Sequence, residues 1–138
     1  GPTLIDGVAE AVQHLAQRYR LGVISDSGLS TGATLRHFLK RDGLLDCFTC
    51  TTFSDEVGVS KPHARIFQLT LEKLGALPHA AVHLGDLTHS DIAGAKAIGM
   101  QAVRLTANYD DANRSVVPDA VVNSYAEFEA WLKSRDEG

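Results

Sequence analysis

Ala81-Val82-His83-Leu84-Gly85-Asp86-Leu87-Thr88-His89-Ser90-Asp91-Ile92-Ala93-Gly94-Ala95 decides the fold. Ala81 to Leu84 reads as a short strand, Gly85-Asp86 as its tip, and Asp91 to Ile98 as a helix closed by Gly99. A strand that passes directly into a helix is the repeating unit of a parallel α/β sheet. The alternation continues outward on both sides. Upstream, apolar residues from Val8 to Tyr19 form a helical stripe, and Leu21 to Ile24 is a strand expected to be covered on both faces. A helix over Ser30 to Leu39, a less buried strand over Phe48 to Phe53 and a helix over Ala64 to Leu74 follow. Downstream lie a strand at Gln101 to Leu105, a short strand at Ala120 to Val122, and a helix from Tyr125 to Lys133 with Ser124 as N-cap.

In an open parallel sheet, ligands bind beyond the carboxyl ends of the strands. Ser25, Lys61 and Asp86 all fall at or near that edge. The Ser25 hydroxyl and the amides of the turn formed by Asp26, Ser27 and Gly28 are donors for phosphate oxygens, and Lys61 supplies a neutralising charge. Asp86 and Asp91 are hard oxygen donors suited to Mg²⁺, which takes one or two carboxylates beside water and substrate. Taken singly, Ser25 reads as a turn residue, Lys61 as a solvated lysine and Asp91 as a carboxylate favoured by a helix N-terminus. The joint pattern points to phosphate and metal chemistry.

The composition sets the frame for that chemistry. The chain has 138 residues, is 44% hydrophobic and carries a formal charge of -4, enough for one core domain over residues 1–138. Without a Lys/Arg cluster, nucleic acid and acidic membrane are not expected partners. No apolar run reaches membrane-span length and no signal-peptide pattern opens the chain. With only two cysteines, a reducing, cytoplasmic setting is expected. Gly1-Pro2 reads as a protease-cleavage scar.

Leu21-Gly22-Val23-Ile24-Ser25, Lys61-Pro62 and Gly85-Asp86 through Asp91 resemble, in order, the second, third and fourth motifs of the haloacid dehalogenase-like (HAD) superfamily, in its phosphoglycolate phosphatase-like branch. Ser54-Asp55-Glu56-Val57-Gly58 and the stretch from Ala93 to Met100 also fit it, and the likeness covers about residues 4 to 107. The resemblance implies a three-layer Rossmann-like α/β core with a mostly parallel sheet. It implies that Ser25 holds the phosphoryl group, Lys61 neutralises it, Asp86 ligates Mg²⁺ and Asp91 ligates or supports the metal, on a small phosphorylated substrate.

The family's first motif, a DxDGT strand end whose leading Asp is the nucleophile, does not occur in this sequence, and no segment is long enough to be a cap domain. Asp6-Gly7 lacks both the preceding Asp and the following Thr. In the family that strand lies between the strands ending here at Ser25 and Gly85. Its loss implies a truncated core with a gap, direct pairing of the two strands, or completion by another chain, with a homodimer through exposed sheet edges or strand exchange. Direct pairing would cluster Asp26, Asp86 and Asp91. The expected function is therefore a capless Mg²⁺ phosphatase whose nucleophile is Asp26, Asp86 or a metal-bound water. The alternative is a non-catalytic remnant, or half of a split enzyme, that binds phosphate or a partner protein.

Cys47-Phe48-Thr49-Cys50 has the spacing of a redox or zinc pair, but stands ahead of a strand rather than at a helix N-terminus. Among the histidines, His83 reads as a satisfied core or interface residue with the option of tuning the nearby site. His89 reads as exposed and His63 as a helix N-terminal residue. Asn108-Tyr109-Asp110-Asp111 reads as a polar loop flanking the site.

Overall fold

Short parallel strands alternate with helices in the computed structural model, which describes residues 7–26, 32–107 and 109–137. Helix α1 (Val8–Ala16) leads to strand β1 (Gly22–Ser25), then α2 (Gly32–Arg41) and β2 (Cys50–Phe53). A one-turn helix α3 (Ser54–Val57) precedes α4 (Ala64–Leu74), β3 (Val82–Gly85), a wide turn at Thr88–Ile92, and α5 (Ala93–Ala97). Strands β4 (Gln101–Leu105) and β5 (Ala120–Val122) and helix α6 (Tyr125–Glu137) complete the order. The α/β class expected from the alternation is the class observed.

Period-two alternation builds the layers. On β4, Ala102 joins a core cluster with Ile66, Phe67 and Leu71 of α4 and Ile92 and Ala95 near α5. Val103 and Leu105 point the other way, into a cluster with Phe128 and Leu132 of α6, against which Leu15 and Tyr19 also pack. Helices α4 and α5 thus cover one face, and α1 and α6 the other. Tyr19 keeps its place on the apolar stripe although α1 ends at Ala16, because the next residues form a looser turn. Helix α6 runs past Lys133 because its last turn has partners: Arg135 donates to the Gln101 side chain at 2.9 Å and Tyr19 bonds Asp136.

The sheet is interrupted. Strand β1 pairs in parallel with β2, and β3 with β4 and then β5. Among the described residues no strand joins β1 to β3, so the direct pairing considered from the sequence is not the arrangement observed. Helix α4 spans the interval. Its Phe67 ring meets the His83 ring of β3 edge-on, with centroids 5.2 Å apart, and Ile24 of β1 packs on the cluster containing Ile66.

The break inverts the expected burial of the first two strands. Strand β1 was expected to be enclosed, yet Val23, Ile24 and Ser25 are half-buried and Gly22 is exposed, as suits a strand with one neighbour among the described residues. Strand β2 was expected to be the less buried, yet Thr52 and Phe53 are fully buried. The Thr70 hydroxyl of α4 donates to the Ile66 carbonyl and lies 2.8 Å from the Thr52 hydroxyl, so this polar pair is satisfied inside the core.

Candidate active site

The site is assembled at the carboxyl ends of β1 and β3, where Lys61 reaches both. Its backbone N–H donates to Asp26 Oδ1 (3.0 Å), just beyond β1, and its ammonium donates to Asp91 Oδ1 (2.6 Å), beyond β3. The Lys61-Pro62 peptide bond is cis. The sequence-predicted residues Lys61, Asp26 and Asp91 are thus brought together, with Lys61 at the centre.

Asp91 arrives by way of the wide turn. The amides of Asp91 and Ile92 both donate to the Leu87 carbonyl, at 2.9 and 3.2 Å, so the turn holds one residue more than an α-helical turn. In return the Leu87 amide donates to Asp91 Oδ2 at 3.1 Å. The Asp91 side chain is folded over the end of β3, and only a glycine at 85 leaves space for it: a β-carbon there would lie 2.5 Å from the Asp91 Cβ. The Gly-Asp motif therefore needs its glycine for close approach rather than for a left-handed backbone.

Asp91 is 3% exposed and takes three donors. The third is His83, whose Nε2 is 2.9 Å from the same Oδ1 that Lys61 occupies. Burial by itself would raise the Asp91 pKa, but the His83 hydrogen bond and the Lys61 charge outweigh it and hold the carboxyl well below the ordinary carboxylate range. Asp91 is therefore ionised, and its oxygens are committed to orienting neighbours.

Asp86 stands apart. It is half-buried at the tip of β3 on the α6 side and has no hydrogen-bond partner among the described residues. Burial first, then the Asp86 charge, push the Tyr125 hydroxyl above its usual range. As a single unpartnered carboxylate, Asp86 fits one ligand position of an Mg²⁺ ion that completes its shell with water and substrate oxygens. Asp91 fits that role less well, because Oδ1 is saturated and Oδ2 already accepts a bond. Among the described residues, no three His, Cys, Asp or Glu side chains converge to hold a metal. The cluster of Asp26, Asp86 and Asp91 considered from the sequence is therefore not formed, since it required β1 and β3 to be adjacent.

Ser25 ends β1, half-buried. Ser27, Gly28 and Asp6, also singled out in the sequence, lie outside the described residues, as does Asn108. In the rest of the 108–111 loop, Asp111 accepts from the Thr88 amide at 2.8 Å, and Asp110 pairs with the buried Arg104 at 2.8 Å. His63 caps α4 by accepting from the Arg65 amide, and His89 is exposed. Cys47 and Cys50 are free thiols, and burial pushes the Cys50 thiol up, opposite to what a reactive thiolate requires. The sequence left His83 as a core residue or a tuner of the site; the geometry makes it a direct partner of Asp91. Its proximity to Gly85-Asp86 was the available signal.

This chain belongs to the haloacid dehalogenase-like hydrolases, whose family pattern it matches over residues 2–105. It is 38% identical over 101 residues to a protein named glyceraldehyde 3-phosphate phosphatase from Methanothermobacter thermautotrophicus, covering 72% of this chain and 42% of that protein. It is 31% identical over 131 residues to the pyrimidine 5'-nucleotidase YjjG of Escherichia coli, covering 94% of this chain and 57% of the relative. Its structure resembles the crystal structure of a HAD phosphatase from Thermococcus onnurineus with a TM-score of 0.82 at 30% identity, over 94% of this chain and 58% of the other. The chain spans about half the length of these relatives.

Proposed function

We propose that this chain carries the phosphate-handling part of a phosphatase that hydrolyses small phosphomonoesters with Mg²⁺. The observation that carries the reading is the Lys61 ammonium, held by the buried and ionised Asp91 beyond the end of β3, on a residue whose backbone is tied to Asp26 beyond β1. A cation fixed in a site of low dielectric neutralises a phosphoryl group more effectively than a solvated one, and phosphoryl transfer depends chiefly on positioning and charge. In this reading Ser25, with Ser27 and Gly28, holds the phosphoryl oxygens, and Lys61 neutralises them. Asp26 fixes the Lys61 backbone. Asp86 would hold Mg²⁺, which supplies Lewis-acid polarisation of the phosphate when bound. The phosphatase and nucleotidase names of the relatives support this substrate class. A cytoplasmic setting is also part of the proposal, which the two free thiols suit.

The nucleophile separates two versions of the reading. Asp26 and Asp86 are the candidates for direct attack, with an activated water as the other route. The interrupted sheet favours a second version, in which the chain binds phosphate and reacts only once a further strand, from a second copy or from additional polypeptide, fills the interval between β1 and β3. Strand edges left unpaired beside a core are costly unless covered.

The deciding experiment measures phosphate release from an aryl phosphate, with Mg²⁺ and with chelator, for wild type, Lys61→Met, Asp86→Asn and Asp26→Asn, together with binding of inorganic phosphate. Metal-dependent turnover that falls at least about a hundredfold in Lys61→Met and Asp86→Asn supports the self-sufficient enzyme. Loss in Asp26→Asn as well, with phosphate binding retained, would select it as the attacking group rather than only the anchor of Lys61. Phosphate binding without turnover supports the version that needs a further strand. A folded protein that neither turns over nor binds phosphate overturns both.

A further inference from the structure

His83 is a half-buried titratable side chain to which the mechanism above gives no task. It lies on β3, facing α4, with its side chain 12% exposed and its ring set nearly perpendicular (83°) to that of Phe67. That packing fixes the ring plane and aims Nε2 at Asp91 Oδ1, 2.9 Å away. Because Asp91 is ionised, its oxygens only accept, so Nε2 carries the proton and the tautomer is set. The same Oδ1 accepts from the Lys61 ammonium at 2.6 Å, and Oδ2 accepts from the Leu87 amide at 3.1 Å. A carboxylate oxygen offers two lone pairs in its plane, and on Oδ1 Lys61 and His83 fill both.

We propose that His83 is a positioning residue for Lys61: by occupying the second lone pair of Asp91 Oδ1, it fixes the carboxylate and keeps the ammonium directed at the phosphate. This rests on the reading that Lys61 meets phosphate. Without the His83 donor, one lone pair of a carboxylate that is 3% exposed is left unmet. The carboxylate then turns more fully onto the nearest donor, the ammonium, and draws it inward from the strand ends. An unsatisfied charged acceptor in a buried site is costly enough to drive such a shift.

The test compares His83→Phe, which keeps a ring against Phe67 but has no donor, with His83→Gln, whose amide N–H reaches a similar position. His83→Leu is made in parallel, so that misfolding of one donor-less variant does not decide the comparison. The first readout is the ¹H–¹⁵N signal of the Lys61 ammonium, assigned by its disappearance in Lys61→Met. It is expected in wild type and His83→Gln, and shifted or broadened away in the donor-less variants. The second is the affinity for inorganic phosphate, expected within about twofold of wild type in His83→Gln and weaker by about tenfold in His83→Phe or His83→Leu. An unchanged Lys61 signal and phosphate affinity in a folded donor-less variant overturns the proposal. So does a His83→Gln protein as impaired as His83→Phe, which would make His83 a packing residue. If the Lys61 signal follows the donor but wild type binds no phosphate, the positioning role stands and the phosphatase reading falls.

Discussion

Asp91 shows how much chemistry one side chain concentrates when its partners come from three segments. Its folded pKa lies well below the unfolded carboxylate value of about 3.9. A depressed carboxylate contributes stability that is fully present above the unfolded value and is lost as pH falls toward the folded one. Asp91→Asn is accordingly expected to be less stable than wild type at pH 7 by about 3 kcal/mol, the scale for breaking a buried ion pair and leaving Lys61 without its counter-charge. In urea titrations the difference should narrow at pH 3, where wild type begins to lose its advantage. A gap of equal size at both pH values would mean that the carboxylate is not held as an ion. The sequence named Lys61, Asp86 and Asp91 because their motif spacing is local. It did not reveal that Asp26 anchors the Lys61 backbone or that His83 shares an oxygen with Lys61. Both contacts depend on how β1, β3 and the start of α4 approach one another, and one sequence does not record that.

At the scale of elements, helices and strands were legible wherever period and punctuation agreed. Ala64–Leu74, Gln101–Leu105 and Ala120–Val122 occupy the expected residues because an apolar stripe or run is bounded by clear breakers, as at Gly75. The helix expected from Asp91 is preceded by a wide turn at Thr88–Ile92 and becomes α-helical only at Ala93, because that winding has a tertiary cause, the Asp91 carboxylate accepting from the Leu87 amide. Helix α5 presents Gly94 to α4, and a β-carbon there would lie 2.5 Å from Phe67 Cε2 and 3.2 Å from the Pro62 Cα. Alanine favours an isolated helix over glycine by about 1 kcal/mol. Here the overlap dominates, and Gly94→Ala is expected to destabilise by about 1–3 kcal/mol in thermal or urea unfolding. A stabilised Gly94→Ala protein would show that α4 and α5 have room to separate.

For the molecule as a whole, the alternation of strands and helices disclosed the parallel α/β class, and the missing motif disclosed that a central strand was in question. Which of the possible outcomes the chain adopts was not legible. A gap, a repaired sheet and a shared sheet differ in long-range pairing, not in local pattern. In the described residues the outcome is two parallel half-sheets, with α4 lying across the interval. One core cluster lies mainly between β4 and α6 and the other mainly between α4 and α5. Such a molecule need not open all at once. The β1–β2 pair is expected to behave as a separate cooperative unit, with its amides exchanging their hydrogens for deuterium through openings of lower free energy than those of β4, which is paired on both sides. Mass spectrometry of peptides covering Gly22–Ser25 and Gln101–Leu105 would measure that difference. Equal protection of both would mean that α4 alone couples the halves into a single unit. Faster exchange at β1 would make the seam between them the weakest line in the protein, and any strand that settled there would be felt as slowed exchange on both of its banks.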